Sequence, residues 1–81
     1  MKVSAEISMY PLNENYGTSI LQFIQRLKAY PRLEVRTNTM SSQVFGEYDE
    51  LMSVLTKEMK TSFEEKNDVV IVFKIANLDL R

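Results

Sequence analysis

The hydrophobic residues of this chain follow one fixed succession of periods, and that succession limits the fold more than any other feature. Val3, Ala5, Ile7 and Met9 alternate with Lys2, Ser4, Glu6, Ser8 and Tyr10, the period of a half-buried strand, and Pro11 ends the run. Residues 13–17 form a polar loop, with Asn15, Thr18 or Ser19 placed to cap a helix. Over residues 18–30, Ile20, Leu21, Phe23, Ile24 and Leu27 share one helical face; Gln22, Gln25, Arg26 and Lys28 take the other, and Pro31 stops the helix. Leu33, Val35 and Thr37 alternate again, and residues 42–47 form a further strand, with Val44 and Phe45 pointing opposite ways before Gly46 breaks the pattern. Asp49 suits an N-cap and Glu50 a first helical turn. Leu51, Met52, Leu55, Met59 and Phe63 then recur at helical spacing to about residue 65. Asn67 and Asp68 read as a turn, residues 69–75 as a near-continuous apolar strand asking for cover on both faces, and residues 76–81 as a short tail.

Strand, helix, strand, strand, helix, strand is the order of the split βαβ unit. Right-handed crossovers then give an α+β, ferredoxin-like βαββαβ plait: an antiparallel four-stranded sheet in the order 4-1-3-2 with two helices on one face. Eighty-one residues without a repeat or linker predict a single domain over residues 1–81. Met9, Met52 and Met59 fit core positions. Glu50, Glu58, Glu64 and Glu65, interleaved with Lys57, Lys60 and Lys66, read as a solvated face of paired charges.

Composition removes most chemistry. There is no cysteine and no histidine, which excludes disulfides, thiolate and imidazole metal sites, and triads built on histidine. No cofactor is implied, no catalytic residue is identifiable, and the expectation is a protein that is not an enzyme. A formal net charge of −1, and Glu6 and Glu47 on the same sheet face as Tyr10 and Phe45, argue against nucleic acid. No apolar run approaches the ~18 residues of a membrane span, and Glu6 falls where a signal peptide needs apolar residues, so a cytoplasmic location is expected. The outer sheet face would expose Tyr10, Phe45, Val70 and Val72, a larger apolar patch than monomers usually carry. A homodimer or homotetramer through that open face is expected, the alternative being a solvated, mixed face.

The hairpin of residues 35–46 carries a polar crown: Thr37, Asn38, Thr39, Ser41 and Ser42. Turn chemistry alone accounts for such residues. In a plait, however, the hairpin shares one edge with the end of strand 1, bearing Ser8 and Tyr10, and with the start of helix 1. A two-residue turn at Thr39-Met40 sets Thr37 opposite Ser42, both on the helix side with Val44. The two hydroxyls then either bond to each other across the strands or face the mouth of the layer as partners for a small polar heterocycle.

These residues carry a resemblance. The segment 7–12, Ile-Ser-Met-Tyr-Pro-Leu, and the segment 36–46, Arg-Thr-Asn-Thr-Met-Ser-Ser-Gln-Val-Phe-Gly, resemble the YkoF-like family of thiamine- and hydroxymethylpyrimidine-binding domains with a ferredoxin-like fold. The likeness implies a non-enzymatic binding module for thiamine or a related pyrimidine, acting in uptake or salvage and assembled from single copies. Carried onto this chain, it nominates Thr37, Ser41, Ser42, Tyr10, Asn38 and Ser8 as ligand-binding residues. Tyr10, Glu6 and Glu47 are candidates for facing a cationic ring. A structural or regulatory homo-oligomer without a small-molecule ligand is the alternative.

Overall fold

Alternation in the first strand sorts its side chains as the pattern requires: Val3, Ala5 and Ile7 are buried beneath the helices, and Ser4, Glu6 and Ser8 face away. The computed structural model describes residues 1–12, 16–65 and 68–81. In chain order the elements are β1 (Lys2–Pro11), α1 (Tyr16–Lys28), β2 (Glu34–Thr37), β3 (Ser42–Glu47), α2 (Tyr48–Glu64) and β4 (Val69–Ala76). The strands form one antiparallel sheet in the order β2-β3-β1-β4. This is the expected ferredoxin-like plait. Phe23 and Leu27 from α1 and Leu51, Val54 and Leu55 from α2 close the core over Val3, Ala5, Ile7, Leu33 and Val44. Met9, Met52 and Met59 pack against its margin as expected.

The element ends depart from the sequence reading in small, explicable ways. Helix α1 begins two residues earlier than expected; Asn15 as its cap lies outside the described residues, as does Asn67 in the last turn. Pro11 is the last residue of β1, as expected, and is paired there with Val69; beyond it the Leu12 amide donates to the Asp68 carbonyl at 2.8 Å. Asp49 is not the cap of α2. The helix follows β3 directly, Glu47 is the N-cap without a side-chain bond, and Asp49 and Glu50 occupy the first turn. Gly46, where β3 meets this helix, is buried, and a Cβ there would stand 2.7 Å from Leu33 Cδ2 and 3.4 Å from the Arg32 carbonyl oxygen.

The charged face assigned to α2 needs a larger correction. Glu58 is not solvated: it is 5% exposed, and Ser62 is buried beside it, whereas Phe63 is largely exposed. The two helices meet each other as well as the sheet, so the seam between them falls off the sheet-facing stripe. Arg26 of α1 spans that seam. Its Nε donates to Glu58 Oε1 at 2.8 Å, its Nη2 to Ser62 Oγ at 2.7 Å and its Nη1 to Glu65 at 3.1 Å. The Tyr30 hydroxyl donates to the other Glu58 oxygen, and that bond holds the phenol above its ordinary value. A raised phenol contributes stability that is complete below about pH 10 and is lost as pH rises through the raised value. Tyr30→Phe is therefore expected to flatten the alkaline fall in stability, as read by urea unfolding across that range.

The outer sheet face also differs from expectation. Residues 77–81 return across it: Ser4 Oγ donates to the Leu78 carbonyl at 2.7 Å and accepts from the Leu80 amide at 2.8 Å. The Arg36 and Arg81 guanidinium groups lie 5.3 and 5.8 Å from the centre of the Phe45 ring, and Phe45 is buried rather than exposed. The exposed apolar side chains on this face are those of Tyr10, Val70 and Val72, and the tail that crosses it adds Leu78 and Leu80. Nor is β4 covered on both faces, since it is an edge strand bonded to β1 alone.

Candidate functional site

The tip of the β2–β3 hairpin is built by Asn38. Its Oδ1 accepts the Met40 and Ser41 backbone amides at 2.8 and 2.9 Å, while its own amide donates to the Ser41 carbonyl at 3.0 Å. An Asn at this position closes the loop through its side chain, which leaves Thr39 and Met40 at the tip. The register follows as expected: Thr37 opposite Ser42 and Val35 opposite Val44.

Beneath that tip, between the end of β1 and helix α1, lies a cavity of about 240 Å³. Ile7, Met9, Ile20, Phe23 and Ile24 form its apolar wall, and Tyr10, Asn38, Thr39, Met40, Ser41 and Ser42 complete it from the strand end and the hairpin. The apolar wall comes from the helical spacing of α1 and the alternation of β1. The polar side comes from the hairpin alone.

The six nominated residues divide here. Ser42 is 7% exposed and stands on the wall. Its hydroxyl makes no hydrogen bond with any described residue, so the cross-strand bond to Thr37 is not formed. Tyr10, more than half exposed, stands at the rim. Asn38 borders the space with its carbonyl oxygen committed to the turn. Ser41 borders it too, but its hydroxyl turns to the opposite sheet face and donates to Glu6 Oε2 at 3.1 Å. Thr37, opposite Ser42 in the register, is exposed at the end of the four-residue edge strand and is not part of the wall. Ser8 is also off the wall; it pairs with Val72 and faces outward.

The acids considered for a cationic ring are engaged elsewhere. Glu6 holds Lys74 Nζ at 2.8 Å, and the Lys74 and Ser41 hydrogen bonds keep its carboxyl below the ordinary glutamate value. Glu47 accepts from the N-terminal ammonium at 3.0 Å. Sequence reasoning missed Met9, Ile20, Phe23 and Ile24 as wall residues, although all were expected to be apolar and inward. Their helical and alternating periods identify the buried side, not which part of it stays unfilled.

Chemically, a buried hydroxyl without a partner can donate one hydrogen bond and accept others. Leaving it unmet is costly, which favours an occupant with polar edges. An engineered apolar cavity of ~150 Å³ admits benzene, so this one has room for a substituted six-membered ring. Apart from Tyr10, no titratable side chain stands on the wall among the described residues.

Fold and site together define a ferredoxin-like plait with a small cavity under its hairpin, apolar on the helix side and polar on the hairpin side. No family model and no curated protein matches the sequence. Solved structures do. The hypothetical protein MJ1052 from Methanocaldococcus jannascii is 28% identical over 99% of this chain and 84% of its own, with a TM-score of 0.81. The Thermotoga maritima protein TM0486, a "putative thiamine biosynthesis/salvage protein", aligns over 100% of this chain and 85% of its own, with a TM-score of 0.83 at 18% identity. A DUF77 domain from Bacillus cereus has a TM-score of 0.72 at 17% identity, over 99% of this chain and 79% of its own. At these identities the last two share the fold. No helix among the described residues is long and apolar enough to cross a membrane.

Proposed function

We propose that this domain is a non-enzymatic binding protein for thiamine or its hydroxymethylpyrimidine moiety, a YkoF-like module acting in uptake or salvage. The observation that carries the reading is the Ser42 hydroxyl: buried, without a partner among the described residues, and on the wall of a cavity that fits one aminopyrimidine ring. The ring stacks its faces on Phe23 and Ile24, and its amino group or ring nitrogen meets Ser42. Tyr10 at the rim covers the part of the ligand that projects outward. The likeness of fold to TM0486 supports the same class of ligand.

Isothermal titration of the purified protein with thiamine and with hydroxymethylpyrimidine tests the reading. Binding of at least one is expected. Ser42→Ala weakens it by about tenfold, near the upper end for a single neutral hydrogen bond, and Ser42→Leu, which fills the cavity, abolishes it. Thr37→Val leaves it unchanged, because Thr37 is off the wall. No heat from either compound at millimolar concentration removes the proposal.

A further inference from the structure

The hairpin that supplies the polar side of the cavity leaves the sheet before its tip. The β1–β3 ladder ends at Ile7 and Ser42 and the β2–β3 ladder at Thr37 and Ser42, so residues 38–41 stand beyond both. Within the tip, Asn38 accepts the Met40 and Ser41 amides and donates to the Ser41 carbonyl. Those bonds shape the turn but do not fix its angle to the sheet. Among the described residues, the hydrogen bond that ties the tip to another strand is the one from Ser41 Oγ to Glu6 Oε2, at 3.1 Å. Glu6 is itself held from its other side: Lys74, its direct partner in the β1–β4 register, brings Nζ to 2.8 Å from Oε1. Strand alternation allows this arrangement. Successive side chains take opposite faces, so Ile7 and Ser42 stand on the cavity wall while their chain neighbours Glu6 and Ser41 bond on the outer face.

We propose that Glu6 is a positioning residue for the cavity: from the outer face of the sheet it clamps Ser41 and so holds the hairpin tip closed over a ligand on the helix side. Glu6 is not part of the cavity wall and acts through Ser41 alone. Ser41 therefore orients the rim, which is a different role from the ligand contact that the resemblance gives it. An ionised acceptor makes the stronger hydrogen bond. The exposed Glu6–Lys74 pair contributes little by itself, and its part is to aim the carboxylate at Ser41. A tip that samples open arrangements binds ligand only in its closed fraction, and the apparent affinity falls by that fraction. The effect on affinity rests on the cavity being the ligand site proposed above; the clamp itself does not.

Two measurements on the full chain test this: hydrogen exchange of the Met40 and Ser41 amides without ligand, and calorimetric titration with thiamine and hydroxymethylpyrimidine. Glu6→Ala is expected to speed exchange of both amides, and to weaken binding, by at least about threefold. The β1 and β3 ladder amides and the far-UV circular dichroism spectrum stay as in the wild type, because the Glu6 side chain is 38% exposed and outside the core. Glu6→Gln, whose side-chain oxygen still accepts from Ser41, restores both readouts to within about twofold. Ser41→Ala reproduces Glu6→Ala, and the double variant is no weaker than either single one, since both remove the same bond. Unchanged tip exchange in Glu6→Ala, or losses of affinity that multiply in the double variant, overturns the proposal. A wild type that binds neither compound removes the ligand reading and with it the effect on affinity, while the exchange arm still decides whether Glu6 fixes the tip. If Glu6→Ala does not fold, Ser41→Ala carries the same comparison.

Discussion

Replacing Arg26 with Met is expected to destabilise the domain by about 3 kcal/mol, the lower end of what is lost when one member of a buried ion pair is removed. The lower end applies because Arg26 is 24% exposed at its side chain while Glu58 is 7% exposed, so water reaches one partner and not the other. The damage lies in what stays behind: a carboxylate between two helices, with the Tyr30 hydroxyl its one remaining side-chain partner among the described residues. A domain of this length has a total stability of roughly 4–12 kcal/mol, so the loss is a large fraction of the whole. In thermal terms it is a fall of roughly 12–24 °C in Tm. Glu58→Met in the Arg26→Met background should recover most of the loss, because a seam with neither charge has nothing left unpaired. Urea unfolding of the two single variants and the double variant checks this. If Arg26→Met costs less than 1 kcal/mol, the seam is not a buried one.

Phe23→Ala is expected to cost about 3–5 kcal/mol. Phe23 is 2% exposed and packs on two fronts, into the core with Leu27 and onto the wall of the cavity beneath the hairpin. Removing the ring joins a new void to one already present, and the neighbours cannot close on it without drawing α1 toward the sheet. Leu21→Ala, two residues away on the same helix but 55% exposed, should change stability by no more than about 0.5 kcal/mol. The contrast tests which face of α1 is inward, although both residues were expected on the apolar stripe. Equal costs in chemical denaturation would place the helix in a different rotation. The same variant should also weaken any ring-shaped ligand, since the stacking surface leaves with the side chain.

Much of the fold was legible because short-range periodicity and chain order carry it. Alternation in residues 2–10 and 42–47, and helical spacing from Ile20 to Leu27 and from Leu51 to Met59, name the element types, and the order of types leaves few topologies. The hairpin register was legible for the same reason: a two-residue tip at Thr39-Met40 leaves Thr37 facing Ser42. The site was legible in part. That the crown and the end of β1 share one edge follows from topology, but which hydroxyl there is covered does not: Ser42 is buried and Thr37, opposite it, is exposed.

Local pattern by itself determined the elements, their order, the inward positions along β1 and β3, and the turn that Asn38 closes. Only the tertiary structure decided that Glu58 is buried, that residues 77–81 lie over Phe45, that Ser41 turns to Glu6, and that the described residues leave a space under the hairpin. The physical reason is range. Periodicity reports how a side chain stands relative to its own backbone, within a turn or a strand pair. Burial of a charge or a hydroxyl is set by a partner many residues away, as Arg26 is for Glu58, and by the volume that distant side chains together fail to fill.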